Sequence, residues 1–336
     1  MKAAVPPESP LNRRRFLQLA ALTAAAGLSG CSRGNAVPTL RAAADTLPAL
    51  WRRRLPSPWT FAPFSNAAAV RDAWPPSTDL LALTDGWLSG LAPSQLQAIA
   101  AAPLVTRLGP LGKRFLADTP ETWSGLLLPV GFSPWVMLIR REGGTAPDPN
   151  AGWNLLLDPA FEGKLLLPSS PRLLASLADR IDGPDPLRRL RAAALSFDDR
   201  FALNWLLQGD ARLAVVPLQR CMRALQQDPR LMVVLPQQGA PLHWTLLLRP
   251  KDTSEPLPQA WVEEAWTSPL LTRMLSQGWI PPLPSATLAA AASRVPSRLM
   301  PALLPAATVW ESCWTLFPLE PSQALSLQDR WDASAP

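Results

Sequence analysis

The stretch Gln208-Gly209-Asp210-Ala211-Arg212-Leu213-Ala214-Val215-Val216-Pro217 sets the fold class of this chain. Its apolar part, residues 212–217, has the length of a buried strand and ends at a proline. Patterns typical of helices stand on either side, at 200–208 and 218–227. A strand of this length between two helices is the unit from which parallel sheets are built, so the segment predicts an α/β protein.

The same alternation continues on both sides of this segment. Further runs of strand length lie at 59–64, 79–84, 135–140, 164–167, 231–235 and 242–248. Further helical patterns lie at 42–53, 93–101, 172–182, 186–195, 258–276 and 296–304. The 336 residues suffice for roughly two domains, and 48% hydrophobic with 17% charged residues is a globular composition. We therefore predict an α/β chain whose strands are joined in parallel βαβ units.

The charge and the residue inventory exclude several functions. The net charge is +6, but Lys2, Arg13, Arg14 and Arg15 against Glu8 place +3 of it in the first thirty residues. The remaining surplus is too small to indicate a nucleic-acid partner. The chain has no tyrosine and one histidine, which excludes a ferric site built on tyrosinates and disfavours a zinc site. We expect neither a metal nor a cofactor.

The first thirty residues have the layout of an export signal. Arg13 and Arg14 precede an apolar stretch at 16–28, whose thirteen residues are fewer than the about 20 that cross a bilayer. An arginine pair in this position is typical of a twin-arginine signal. Residues 28–31 (LSGC) resemble the lipobox of bacterial lipoproteins, in which the cysteine is acylated. The alternative is an amphipathic helix with a buried cysteine.

The signal predicts where the protein works. We expect a signal peptide at 1–30 and a tether at 31–38, with Cys31 lipidated and the twin-arginine translocase as the export partner. The mature protein would then be a membrane-anchored lipoprotein of the periplasm. Cys221 and Cys313 remain, either as a disulfide in that oxidising compartment or as two buried free thiols.

Six segments in order resemble the type II periplasmic solute-binding proteins of ABC transporters, especially the spermidine/putrescine-binding branch. They are 79–85 (DLLALTD), 128–135 (LPVGFSPW), 152–159 (GWNLLLDP) with 163–167 (GKLLL), 208–216 (QGDARLAVV), 235–240 (LPQQGA) with 246–250, and 261–282. The resemblance implies a two-lobed α/β fold with two hinge crossings, in which 39–134 plus 246–336 form lobe 1 and 135–245 form lobe 2. It also implies a protein that is not an enzyme and that delivers a small-molecule ligand to the membrane subunits of an ABC permease.

The candidate ligand-binding residues follow from the sheet. Ligands of α/β proteins lie beyond the carboxyl ends of strands, so the loops after the predicted strands hold the candidates. These residues are Thr84, Asp85, Trp87, Ser133, Trp135, Ser170, Arg172, Gln219, Arg220, His243, Trp244 and Thr245.

The chain departs from the polyamine branch in its carboxylates. Thr245, Ser170 and Leu173 stand where that branch has acidic residues, and Asp85 is the only plausible survivor. A buried ammonium group needs such a partner, because cation–π stacking returns only about 0.5–2 kcal/mol. Two other ligand classes stay open. One is a neutral or anionic ligand with Arg172 or Arg220 as donor, and the other is a weakly polar solute stacked on Trp87 or Trp135.

Two other functions compete with transport. The sequence has no Gly-x-Ser-x-Gly elbow, Walker loop, dinucleotide fingerprint or His-Glu metal motif, and a Ser-His-Asp triad would have to use His243 in a predicted hinge strand. An enzyme is therefore disfavoured. The alternative that remains is a solute-binding fold that no longer takes part in transport. Such a protein would act as a sensor, or as an assembly factor that binds a partner protein of the envelope.

Overall fold

The strands lie in one mixed sheet. The structure, a computed structural model, describes residues 37–43, 45–64, 78–141 and 148–336, so the predicted signal with Arg13, Arg14 and Cys31 lies outside the described residues. The strands are β1 (Thr39–Ala42), β2 (Thr60–Pro63), β3 (Leu80–Thr84), β4 (Leu96–Gln97), β5 (Leu128–Arg140), β6 (Leu165–Leu167), β7 (Ala194–Phe197), β8 (Leu213–Pro217), β9 (Leu231–Val234) and β10 (Leu242–Pro250). Their order is β2-β1-β3-β10-β5-β8-β6-β7, with β4 paired to β10 and β9 to β5.

Short helices join these strands. They are α1 (Ala49–Arg52), α2 (Ala102–Thr106), α3 (Pro110–Asp118), α4 (Pro171–Ala178), α5 (Pro186–Ala193), α6 (Ala202–Gln208), α7 (Leu218–Gln227), α8 (Gln259–Ala265), α9 (Leu270–Leu275), α10 (Ser285–Ala291), α11 (Met300–Leu303), α12 (Ala307–Ser312) and α13 (Pro321–Ala333). Proline stands in the first turn of α2 to α5, α11 and α13. Proline is tolerated there because a backbone N–H in the first turn has no hydrogen-bond acceptor within the helix. The α/β class predicted from the alternation of strands and helices is confirmed.

The sheet is mixed and not purely parallel, which corrects the prediction of parallel units throughout. Neighbours are parallel within β1, β2 and β3 and within β6, β7 and β8. β5 and β10 run antiparallel to each other, and each is antiparallel to its other neighbours. These two strands connect the part of the sheet that holds β1 to β4 with the part that holds β6 to β9. A chain that crosses from one part to the other and then returns must reverse its direction.

Strand β5 joins the two halves by changing its partners along its length. Its residues from Leu128 to Pro134 pair with β10, and its residues from Trp135 to Arg140 pair with β8 and β9. The change occurs between Pro134 and Trp135. We call the part with β1 to β4 and β10 the first half and the part with β6 to β9 the second half. The lobe boundaries given above stay a prediction.

The last helix contacts the second half, although it follows α12 of the first half. Arg191 of α5 donates to the carbonyl of Trp331 and to Ser334 Oγ, and its guanidinium lies 3.9 Å from the centre of the Trp331 ring. Arg330 pairs with Asp179 at 2.6 Å. The chain reaches α13 through residues 313–320, where Trp314 bridges to Pro241 just before β10. This segment is a third connection beside the two crossing strands.

A tryptophan cluster fills the core of the first half. The rings of Trp51 and Trp261 stack with centres 4.2 Å apart, and each indole N–H donates to the other residue's carbonyl. Trp279 packs against Trp51 at 5.2 Å. All three are buried, with their N–H groups bonded, which is the condition for burying an indole at low cost.

Candidate functional site

A cavity of about 380 Å³ lies where the two halves meet. Its walls come from the β1–α1 loop, the end of β3, the start of α7, the start of β10 and the turn after α9. The volume falls within the range of about 300–1,000 Å³ that is usual for small-molecule sites. Side chains from both halves line it, so a molecule inside would contact the two at once.

Five of the predicted residues lie together in the cavity wall: Thr84, Trp87, Gln219, Arg220 and His243. Thr84 ends β3, and the chain then turns through a short 3-10 helix, Asp85–Gly90, that carries Trp87 into the wall. Gln219 and Arg220 stand in the first turn of α7, whose backbone is fixed because Ser133 Oγ accepts a hydrogen bond of 2.9 Å from the Gln219 N–H.

Four predicted residues stand behind that wall and support it. Ser133 is fully buried and holds Gln219, as described. Thr245 Oγ1 accepts a hydrogen bond of 3.3 Å from Trp279 Nε1, and Trp135 meets His243 edge to face at 5.9 Å. Asp85 is 6% exposed, and its carboxylate accepts a hydrogen bond of 3.2 Å from the Trp244 N–H.

The electrostatics behind the wall are governed by burial. Burial raises the pKa of Asp85 to about 7, against the lowering effect of the hydrogen bond from Trp244. Burial also lowers the pKa of His243 to about 4. Asp85 Oδ1 lies 3.9 Å from His243 Nδ1. At neutral pH the imidazole is uncharged, so this contact is not an ion pair, and His243 offers the cavity a neutral donor or acceptor.

Arg220 links the halves through its charge. Its guanidinium lies 2.7 Å from Asp199 of the second half and 3.6 Å from Asp45 of the first half. Asp199 is mostly shielded, with 18% of its side chain exposed, whereas 74% of the Asp45 side chain is exposed at the mouth of the cavity. The guanidinium is therefore held by one shielded carboxylate and faces a second, accessible one.

Three predicted residues lie away from the cavity. Ser170 caps α4 by accepting a hydrogen bond from the Leu173 N–H, and Arg172 is half-buried in the first turn of the same helix. Burial lowers the pKa of Arg172, and the charge of Asp85 opposes this shift. Trp244 points to the other face of β10, because successive side chains of a strand alternate and His243 and Thr245 take the cavity side.

Sequence reasoning missed the contributions of the β1–α1 loop and of the turn after α9. The missed residues of the wall are Ala43, Asp45, Thr46, Pro48, Gln277 and Trp279. The prediction of one helix over 42–53 was wrong, since β1 ends at Ala42 and α1 begins at Ala49. Pro48 was the available signal, because proline favours the start of a helix and disfavours its interior.

The described ranges contain neither a metal-binding cluster nor a membrane-spanning helix. There, no group of three or more His, Cys, Asp or Glu side chains is placed to hold a metal ion. No helix in the same ranges is both long enough and apolar enough to cross a bilayer. Cys221 and Cys313 are both free and buried, which settles the open question of their pairing in favour of thiols.

Comparison with solved structures identifies the fold. The spermidine/putrescine ABC transporter substrate-binding protein PotD from Streptococcus pneumoniae superposes with a TM-score of 0.67 at 12% identity, over 88% of this chain and 98% of that one. The TpPotD lipoprotein of Treponema pallidum gives 0.67 at 11% identity, over 89% and 99% of the two chains. An ABC transporter substrate-binding protein from Bradyrhizobium japonicum gives 0.63 at 15% identity, over 90% and 100%.

Comparisons of sequence find no such relatives. No protein-family model matches the chain, and no curated protein matches it either. The likeness therefore rests on the path of the backbone, which superposes over nearly the whole length of each neighbour. This chain has the two-lobed α/β fold of the type II periplasmic solute-binding proteins.

Proposed function

We propose that this protein is an extracytoplasmic solute-binding protein that takes up a small ligand between its two halves and delivers it to an ABC permease. The observation that carries the proposal is the cavity at the junction of the halves, which is lined from both. In a two-lobed protein with crossing strands, such a ligand favours the closed form by the difference in its affinity for the two forms. The structural neighbours from Streptococcus pneumoniae and Bradyrhizobium japonicum are ABC transporter substrate-binding proteins, which supports this proposal.

Anchoring and export complete the proposal. Arg13 and Arg14 direct the folded chain to the twin-arginine translocase, and acylation of Cys31 then holds it at the membrane. The test is mass spectrometry of the mature N-terminus, with fractionation of cells that express the Cys31→Ser variant. We expect a lipid-modified cysteine at the mature N-terminus and release of the variant into the soluble fraction. An unmodified N-terminus would overturn this part alone.

The test of ligand binding is thermal unfolding of the purified protein against a broad library of small solutes. A ligand at 100 times its Kd stabilises the folded form by about 2.7 kcal/mol. For any ligand found, Trp87→Ala should weaken binding because Trp87 lines the cavity. Trp331→Ala is the matched control, since Trp331 is also half-buried but stands on α13. Equal loss of affinity in both variants would place the site elsewhere.

The partner-binding alternative is an outcome of the same experiment. A protein that no library member stabilises, and that co-purifies with an envelope protein other than a permease, would be a sensor or an assembly factor. A ligand that binds, together with capture of permease subunits in its presence, supports transport.

A further inference from the structure

The charges that reach the cavity are matched to one another. Of the residues in its wall, Asp45 is the acidic one and Arg220 the basic one, and they form an ion pair at 3.6 Å. Arg220 is also held by its 2.7 Å contact with Asp199, which keeps the guanidinium beside the exposed Asp45. A cation placed beside Asp45 would also lie beside a fixed guanidinium. An anion beside Arg220 would lie beside two carboxylates.

The second carboxylate of this region does not reach a ligand. Asp85 does not line the cavity; it accepts a hydrogen bond from the Trp244 N–H and is nearly fully buried. His243 does line the cavity, lies 3.9 Å from Asp85 and is uncharged at neutral pH because burial depresses its pKa. His243 is thus a neutral member of the wall, and Asp85, with a pKa raised to about 7, is only partly ionised at neutral pH and lies outside the wall.

The rest of the wall offers uncharged hydrogen-bonding groups and the aromatic side chains of Trp87 and Trp279. Thr46 and Thr84 contribute from the first half, Gln219 from the second, and Gln277 from the turn after α9. Among the described residues, neither the Gln219 nor the Gln277 side-chain amide is bonded to another protein group. Each amide can both donate and accept. The half-buried Trp87 adds an apolar surface beside them.

We propose, building on the solute-binding role above, that the ligand is a small uncharged polar solute of the sugar or polyol class. Hydroxyl groups both donate and accept, as do the amides, the imidazole and the threonine hydroxyls of the wall, so each polar atom of such a solute can find a partner. The carbon-bound hydrogens of a sugar ring or polyol chain pack on the face of Trp87. A charged solute would leave water without meeting an unmatched opposite charge.

The first experiment is titration calorimetry of the purified full-length protein with three sets of probes. The neutral set is glucose, maltose, trehalose, glycerol and myo-inositol, the cationic set putrescine and spermidine, and the anionic set succinate and sulfate. We expect the tightest neutral probe to bind at least 100-fold more tightly than any charged one. A charged probe that binds most tightly would overturn this inference and leave the solute-binding role intact. If no probe of the three sets binds, the result counts against both the sugar or polyol ligand and the solute-binding role.

The second experiment tests the charge matching in the cavity wall. It does not depend on which neutral solute is the natural ligand. Arg220→Gln leaves Asp45 and Asp199 without a cation, so we expect the affinity for putrescine to rise by at least tenfold over the unmodified protein. Arg54→Gln is the matched control, because Arg54 pairs with Glu264 outside the cavity, and it should leave putrescine binding unchanged. No gain in the Arg220 variant, or an equal gain in both variants, would overturn the inference.

Discussion

The two faces of the crossing strands differ in chemistry although they share one backbone. On the cavity side, His243 and Thr245 of β10 stand opposite Ser133 and Gly131 of β5. On the other side, Trp244 pairs with Phe132, and their rings are 5.1 Å apart. The first face is polar and lies against a cavity. The second belongs to a dense aromatic cluster.

The aromatic face continues into the surrounding elements. Phe115 of α3 lies 4.5 Å from Trp244 and 5.2 Å from Phe317, and Trp310 meets Phe132 edge to face. The Trp244 indole N–H donates to Thr315 Oγ1 at 2.9 Å. The difference between the faces teaches where stability and binding reside. The packed face contributes buried aromatic contacts, and the polar face leaves space and hydrogen-bonding groups for a ligand.

The largest effect is expected from truncating the aromatic face. Trp244→Ala should lower the free energy of unfolding by about 3–5 kcal/mol, because it removes a fully buried ring and leaves a void. Urea unfolding measures this change. Trp87→Ala, the same truncation at a half-buried residue of the cavity face, should cost clearly less. Equal costs would show that the two faces do not divide stability in this way.

The next effect is the pH dependence of the free energy of unfolding that Asp85 and His243 produce. The pKa of Asp85 is raised to about 7, so the folded protein holds this proton from about pH 4 to pH 7 while the unfolded chain does not, and stability falls as pH rises through that range. The pKa of His243 is lowered to about 4, so its contribution has the opposite sign between about pH 4 and 6.5. The two contributions largely cancel in the unmodified protein.

Asp85→Asn removes one side of that balance. Relative to the unmodified protein, its free energy of unfolding should increase steadily from pH 4 to pH 8, by a total on the order of 4 kcal/mol at about 1.4 kcal/mol per pKa unit. The measurement is urea unfolding at several pH values. Parallel curves for the two proteins would mean that the Asp85 carboxyl titrates as it does in an unfolded chain.

A smaller effect is expected from adding a methyl group at Gly131, where the Trp279 ring packs directly on the backbone. A Cβ atom at Gly131 would lie 2.1 Å from the Trp279 ring, so Gly131→Ala should cost about 1–3 kcal/mol through overpacking and should also distort the cavity. Gly86→Ala is the matched control, since a Cβ there meets nothing within 4 Å. Unfolding midpoints and the affinity for any ligand found would both be measured. Comparable losses in the two variants would contradict the close approach of Trp279 to β5.

The smallest effect concerns the ion pair across the mouth of the cavity. A double-mutant cycle with Asp45→Asn and Arg220→Gln should give a coupling of about 0–1 kcal/mol, because the pair is exposed and water screens it. The cycle with Asp199→Asn should give a larger coupling, since that pair is shorter and better shielded. The reverse order would show that the accessible pair, not the shielded one, fixes Arg220.

Many of the strands could be predicted from apolar runs, but β1 and the loop that follows it could not. β3, β6, β8, β9 and β10 were predicted nearly as found, because each is a short apolar run bounded by turn residues or a helix start. β1 was not, since its few residues merge into an alanine-rich stretch that looks helical. The loop after it, with Asp45 and Thr46, was lost for the same reason.

The site prediction had a mixed outcome for a physical reason. Choosing every polar or aromatic residue near a strand end brought Thr84, Gln219 and His243 into the cavity wall. The same rule also took Trp244, although strand alternation already forbids that residue from sharing a face with its two neighbours. Partners distant in sequence, such as Trp279 against Gly131, become visible only once the chain is folded.

The third connection sets the mechanics of the molecule. β5, β10 and the segment around Trp314 run side by side between the halves, with Trp135 N–H donating to the Pro241 carbonyl and Leu242 N–H to that of Trp314. Because the three connections are hydrogen-bonded to one another, a relative motion of the halves has to deform all three together. A C-terminus fastened to the second half by α13 keeps the third connection in this set.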